Sequence, residues 1–372
     1  MVSFAPRRGR FSVVTGASGL LGSYITELLV GRGEAVRVLV RATSDDRLLQ
    51  KLGVEVVRGD LTDARFVHRS IAGAEVVYHC AGQTGNWGPW EKYARGNIST
   101  TWKVVDACGR HRVGRLLHVS SIAVYGHPRS SDEPLAEDQP LGQHLWSFDH
   151  YNRSKIEAEK IVRRLGSHVT IVRPTWFYGP RDRAFIPRLL RALQKGRVRL
   201  IGCDDPQLNG AYVTDIAEGA VLAANHPESA GQVYNLCSQG GITQQEFLDL
   251  LCDAAELPRV RRWIPPWAAH YFAYGCEIAG RLLRRKEAPP LTRHALSVFS
   301  RPARFSCAKV RAQLGWETKV THQEGIRRTI DWMHGGAPFH EPVLAHATRS
   351  APAEVNVTTL VERERDSRRQ IQ

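Results

Sequence analysis

Along the first 125 residues, short runs of β-branched and aliphatic residues alternate with stretches whose apolar positions recur at helical spacing. Phe11–Thr15, Ala35–Val40, Val54–Val57, Val76–His79 and Leu116–Ser120 read as strands, and Leu20–Val30 reads as a helix. Strands that alternate with helices at this spacing form βαβ units, which predicts a parallel sheet covered on both faces. Right-handed crossovers make such a sheet doubly wound. Further on, Tyr151–Leu165 is a helix with mixed charges outside, and Val169–Arg173 a strand stopped by Pro174. A helix over Asp215–Ala224 leads to a strand over Val233–Leu236, whereas 181–210 and 242–335 are less regular.

The sharpest local signal lies between the first strand and the first helix, Thr15-Gly16-Ala17-Ser18-Gly19-Leu20-Leu21-Gly22. Gly16 permits a tight turn, Gly19 lets backbone approach a pyrophosphate, and Gly22 lets the helix pack close to the strand. The helix N-terminus behind it offers free N–H groups and a positive dipole end. Strand before and helix after favour a dinucleotide site over an ordinary turn. The end of the second strand chooses the coenzyme, because an acid there binds a ribose 2′-hydroxyl and an arginine accepts a 2′-phosphate. Arg41 stands there, with no acid before Asp45, which leans towards NADP over NAD; Arg41 stacking on adenine or facing solvent is the competing reading. Asp60 and Leu61, after the third strand, fall near adenine in such a site.

The pattern therefore predicts an α/β chain: a doubly wound parallel Rossmann sheet with a smaller, mostly C-terminal α/β substrate lobe. The sheet domain takes 1–180 and is completed by about 211–238, and the lobe takes 181–210 and 239–335. From about Phe339 the periodicity fades, and 339–372 reads as a disordered tail. At 372 residues and 42% hydrophobic the chain has ample core, which excludes a disulfide-stapled miniprotein. The seven cysteines are scattered without a CxxC pair, so no zinc site is signalled and reduced thiols are expected. No apolar run reaches the ~18–20 residues of a membrane span, and the apolar part of the N-terminus is short for a signal peptide. The expected place is the cytoplasm, on a membrane surface at most. The formal charge of +14 favours anionic partners, but no zinc-finger, RNA-recognition or helix-turn-helix pattern accompanies it, and nucleic acid is not expected.

Tyr151 and Lys155 stand four apart and share a helix face. A free tyrosine titrates near ~10, too high for a base at neutral pH, and a nearby ammonium favours the phenolate. Ser121 ends a strand in His118-Val119-Ser120-Ser121, where its hydroxyl can hold a substrate oxygen. YxxxK alone is weak, but the glycine loop, the serine-ended strand and this helix stand in one order.

In that order the chain resembles the extended short-chain dehydrogenase/reductases, over most of 11–335. The resemblance rests on TGASGLLG, GDLTD, HCAG, SSIAVYG, YNRSK, RPTWFYGP and QLGWETKV. It implies an NAD(P)-dependent oxidoreductase, with Tyr151 as acid/base, Lys155 as its partner and Ser121 as the oxygen-binding hydroxyl. It adds Asn97 near the lysine, and Ser18, Leu20 and Ala81 to the coenzyme contacts. A capping role for Asn97 weighs about equally. Dimers are common among such proteins, so a homodimer is a possible partner state.

Three features narrow the branch. Ile122 and Ala123 stand where sugar dehydratases carry an acidic pair, which argues against dehydration. Trp176 stands where nucleotide-sugar epimerases commonly carry an asparagine, which argues against a UDP-sugar unless the indole merely packs in the core. Gly85–Glu91, with Trp87, and Ile264–Trp267 resemble the 3β-hydroxysteroid and sterol-4-carboxylate 3-dehydrogenase branch. Trp267, Tyr271, Tyr274, Ile278 and Leu282 recur at helical spacing, with Arg281, Arg284, Arg285 and Lys286 at the end. That helix packs into the lobe core, walls an apolar pocket, or rests 267–286 on a membrane surface. The expected reaction is alcohol–ketone interconversion on a small apolar, steroid-like or long-chain substrate, with Trp87, Ser121 and Trp176 touching it. A nucleotide-sugar epimerase and a non-catalytic coenzyme sensor are the alternatives.

Overall fold

The computed structural model describes residues 11–335 apart from 86, 129–132, 203, 239, 290 and 300–303. Its central sheet has seven strands: β1 (Phe11–Thr15), β2 (Val36–Val40), β3 (Glu55–Arg58), β4 (Ala74–His79), β5 (Arg115–Val119), β6 (Val169–Pro174) and β7 (Val233–Leu236). They lie in the order β7-β6-β5-β4-β1-β2-β3, every pair parallel. The order reverses between β1 and β4, the place where open α/β sheets bind ligands beyond the strand ends. Register brings Val14 opposite Tyr78, His118 opposite Ile171 and Asn235 opposite Arg173.

Four helices matter to the site on this sheet: α1 (Leu20–Gly31), α2 (Thr100–Arg110), α3 (His150–Val162) and α4 (Val213–Asn225). Helix α1 packs beside α4, and α2 beside α3, which covers both faces. Between them Val13, Val77, Val104, Leu116 and Ile171 are fully buried, as a doubly wound sheet requires. A second core gathers Tyr178, Ile186, Leu190, Phe247, Leu251, Ile326 and Ile330 from later segments. The stretches that read as irregular contain helices, Phe185–Gln194, Gln244–Ala254, Ala308–Leu314 and His322–Met333.

Two expectations change here. Cys237, just past β7, is paired with Cys307, with Cα atoms 6.3 Å apart, a pairing that scattered thiols did not suggest. Their sequence separation of 70 residues left no local pattern to signal the pairing. Helix α5 (Pro266–Leu282) does form, but its aromatic stripe faces outward, not into the lobe core. Trp267, Tyr271, Phe272, Tyr274 and Leu282 are exposed, while Ala269, Ala273, Glu277 and Gly280 are buried. Small residues thus make the inner contact, because they let the helix backbone approach closely. No helix among the described residues is long and apolar enough to cross a membrane. The tail at 339–372 lies outside the described residues.

Candidate active site

The glycine loop makes the turn its spacing predicts. Gly16 has φ +70°, and a Cβ there would stand 2.7 Å from the Ala81 backbone nitrogen. A Cβ on Gly22 would come within 2.4 Å of the Gly16 carbonyl, so the α1–β1 approach depends on its absence. Gly19 caps α1 without a side-chain hydrogen bond, which leaves the first-turn N–H groups beside Ser18 and Leu20 for an external acceptor. These features fit the diphosphate of a dinucleotide. Thr15 Oγ1 receives the Ala81 N–H at 3.2 Å and pairs with His79 Nδ1 at 2.8 Å, which ties β1 to β4 under the loop.

At the end of β2, Arg41 is exposed. The nearby acids are engaged: Asp45 pairs with Arg47 at 2.9 Å and Arg183 at 3.3 Å, and Asp46 pairs with Arg58. Hydrogen bonds from Arg47 hold the Asp45 carboxyl well below the usual range. Asp60 accepts from the Thr62 N–H at 2.8 Å and from Arg95 at 2.9 Å, while Leu61 packs against the sheet core.

Ser121 follows β5, and its Oγ accepts the Ala123 N–H at 3.2 Å at the head of a short 3₁₀ turn, Ile122–Tyr125. Tyr151 and Lys155 lie on one face of α3. Burial raises the Tyr151 phenol, and a hydrogen bond with Ser121 opposes that rise. The depression expected from Lys155 is therefore not what the chain's own groups produce. Lys155 Nζ donates instead to the Val119 carbonyl at 2.9 Å, and burial lowers it to about 8. Burial also pushes His79 down to about 3 and His118 well below its usual value, so Lys155 is the cation of this cluster.

Asn97 is buried in a π-helical segment, Ala94–Ser99, a geometry frequent at functional sites. Its Oδ1 accepts the Gln83 N–H at 2.6 Å, and its Nδ2 donates to Ser154 Oγ at 2.8 Å. A Cβ on Gly82 would meet Asn97 Oδ1 at 3.1 Å and Lys155 Nζ at 3.5 Å, so the two side chains converge there.

Behind Ser121 stands a buried polar brace. Glu159 takes two hydrogen bonds from Arg173, at 2.9 and 2.8 Å, and a third from Ser120 Oγ at 2.6 Å. Arg173 also donates to the Tyr125 hydroxyl at 2.8 Å, which donates onward to Asn235 Oδ1 at 2.8 Å. The brace joins α3, β6 and β7 to the end of β5.

Trp176 lies elsewhere. Its ring packs among Tyr178, Phe185, Phe247 and Phe299, and Gly210 provides the space for it, since a Cβ there would meet the indole at 2.3 Å. Trp176 is packing in the second core, so it no longer argues against a nucleotide sugar. Trp87 lies beside helix α5, where its Nε1 donates to the Arg285 carbonyl at 3.0 Å.

Tyr151 lines a small cavity, about 20 Å³, that sequence reasoning did not assemble. Its walls include Asp149, His150, Glu277, Arg281 and His294, the last set edge-on to the Tyr151 ring at 5.8 Å. His294 belongs to α6 (Arg293–Phe299), so this wall comes from chain more than 100 residues beyond Tyr151. Only His150, adjacent to Tyr151, carried a local hint.

Residues 12–237, more than half of the chain, match the family described as NAD dependent epimerase/dehydratase family. The chain belongs to that family. It is an NAD(P)-dependent oxidoreductase or epimerase acting on CH–OH and keto groups. A 2-alkyl-3-oxoalkanoate reductase of Stenotrophomonas maltophilia is 30% identical over 85% of this chain and 97% of its own. The solved UDP-glucose 4-epimerase of Thermus thermophilus, in complex with NAD, is 26% identical with TM-score 0.65, over 88% of this chain and 99% of its own. UDP-glucuronic acid 4-epimerase of Bacillus cereus, solved with UDP-glucuronic acid and NAD, shares the fold at 18% identity and TM-score 0.67, over 87% of this chain and 99% of its own. Several solved relatives thus hold polar nucleotide sugars. The 26% identical UDP-glucose 4-epimerase and the charged lining of the Tyr151 cavity correct the expectation of a small apolar, steroid-like or long-chain substrate. Aromatic residues near a site in sequence had suggested an apolar pocket, but Trp176 packs in a core and the α5 aromatics face outward.

Proposed function

We propose that the chain oxidises or reduces a secondary alcohol–ketone centre of a polar substrate, a nucleotide sugar in the first instance, and can act on it as an epimerase. The observation that carries the reading is the Tyr151 side chain, on the same helix face as Lys155 and lining a charged and polar cavity. A bound nicotinamide coenzyme supplies the hydride acceptor or donor. Tyr151 Oη holds the proton: it gives it to the substrate oxygen on reduction and takes it back on oxidation. Ser121 Oγ hydrogen-bonds that same oxygen and fixes its distance to the phenol. Lys155 keeps positive charge beside the proton path, and Asn97 holds the Gln83 backbone and the Ser154 side chain of α3 in position around it.

In this reading Gly16, Ser18, Gly19, Leu20 and Gly22 hold the coenzyme diphosphate, and Asp60, Leu61 and Ala81 flank the adenosine half. Arg41 takes a 2′-phosphate, so NADP is preferred; Arg41→Glu is expected to reverse the preference in coenzyme titrations. Residues 1–180 with 211–238 form the coenzyme domain, and 181–210 with 239–335 the substrate lobe.

The test is a substrate panel: UDP-glucose, UDP-galactose and UDP-glucuronic acid, followed both by coenzyme absorbance and by chromatography for the C4 epimer. Epimer formation lost in Tyr151→Phe supports the proposal. Turnover confined to uncharged ketones would sink it. A second reading, a 3-oxo carboxylate reductase, draws on the 30% identical relative and uses the same residues.

A further inference from the structure

Glu277 and the two arginines near it are unequally satisfied. Arg293 closes on Glu277 three times: its backbone N–H reaches Oε1 at 2.8 Å, and Nε and Nη2 reach Oε2 at 3.0 and 2.9 Å. Nη2 of the same residue also donates to the Ser147 carbonyl at 3.1 Å. Arg281 has only the edge of this arrangement: Nη1 stands 3.8 Å from Glu277 Oε2 and 3.4 Å from the Glu277 carbonyl. A guanidinium carries five N–H donors, so most of those on Arg281 have no acceptor among the described residues. Its position is nonetheless fixed, because the guanidinium lies over the Phe148 ring at 4.0 Å and the Trp87 ring at 4.7 Å.

Neither carboxylate of the cavity wall closes a hydrogen bond on the Arg281 guanidinium. Glu277 is matched by Arg293, and Asp149 is engaged by His127 at 2.7 Å and Asn152 at 3.2 Å. Burial lowers His150, so it is neutral near pH 7. Burial also works against the charge of Arg281, as expected of a cation held out of water without a full counter-ion.

We propose that Arg281 is the specificity-determining residue of this site, receiving an anionic group of the substrate while the reacting carbon sits at Tyr151. Two aromatic faces hold the guanidinium plane and leave its N–H edge for a phosphate or carboxylate, the geometry in which arginine binds such groups with two bonds. The anion is either the diphosphate of a nucleotide or a carboxylate on the reacting moiety. This inference rests on the reading of the Tyr151 cavity as the reaction site.

The experiment uses coenzyme-loaded protein, with UDP and malonate as separate probes in isothermal titration. Arg281→Met keeps an apolar stem against Trp87 and Phe148, and Arg281→Lys keeps the charge. The affinity for one probe should fall roughly tenfold or more in Arg281→Met, the worth of a charge-assisted hydrogen bond. Arg281→Lys should recover part of that loss, and coenzyme affinity, which also reports folding, should not move. Loss with UDP identifies a diphosphate, and loss with malonate a carboxylate. Unchanged affinities in Arg281→Met, or no binding of either probe to the unaltered protein, would overturn the inference. Failure of the hydride-transfer reading looks different: no turnover on any alcohol or ketone, with Arg281-dependent probe binding intact.

Discussion

Lys155 sets the pH behaviour expected of this site. Burial holds it at about 8, against Glu159 and Cys80, which favour the charged form. The proton on Nζ is therefore lost as pH rises through about 8, and with it the charge beside Tyr151. kcat/KM should fall above that pH, and Lys155→Arg, whose charge persists, should remove that limb at reduced activity; pH–rate profiles of the two proteins check this. The stability contribution has the opposite sign. The folded pKa lies below the unfolded value near ~10.4, so the unfolded chain binds more protons in between and the Lys155 contribution grows with pH across that window. The shared helix face of Tyr151 and Lys155 and the tight turn at Gly16 and Gly22 were legible because they ride on local spacing. Arg281, Glu277 and Arg293 were not, because an arginine on an aromatic helix gains its meaning only when Phe148 and Trp87 close over it.

At the scale of elements, the turn from β1 to α1 is the most constrained junction. A methyl on Gly22 would force β1 and α1 apart, since the obstacle at 2.4 Å is backbone carbonyl and cannot rotate away. Gly22→Ala should destabilise the chain by about 1–3 kcal/mol, typical of overpacking, and weaken coenzyme binding while leaving secondary structure in place. Thermal unfolding with and without coenzyme checks both. The strands were readable because each is a compact apolar run, and their edges moved by a residue or two. Helix α5 shows where periodicity misleads: the recurrence of aromatics was real, but the buried face is made of Ala269, Ala273 and Gly280 with Glu277. Small residues write no apolar signal, so the inward face could not be told from the outward one.

Across the whole molecule, the Glu159–Arg173 brace joins helix α3 to the sheet. Both partners are essentially inaccessible to solvent, at 0% and 1% side-chain exposure, so removing one strands the other's charge. Arg173→Met should cost about 3–5 kcal/mol in urea unfolding, and Glu159→Leu in the same chain should restore much of it. The doubly wound parallel sheet followed from strand–helix alternation and chirality. The Cys237–Cys307 link and the polar wall over Tyr151 did not, because both join segments distant in sequence. The most direct test of the central claim is hydride transfer itself. Reduced coenzyme carrying deuterium at C4 is mixed with the oxidised substrate, and the product carbinol carbon is examined by mass spectrometry for unaltered protein and Tyr151→Phe. The predicted result is deuterium at that carbon, with transfer slowed about a thousandfold or more in Tyr151→Phe and coenzyme affinity retained. Equal transfer in both proteins, or none in the unaltered protein despite tight coenzyme binding, would contradict it.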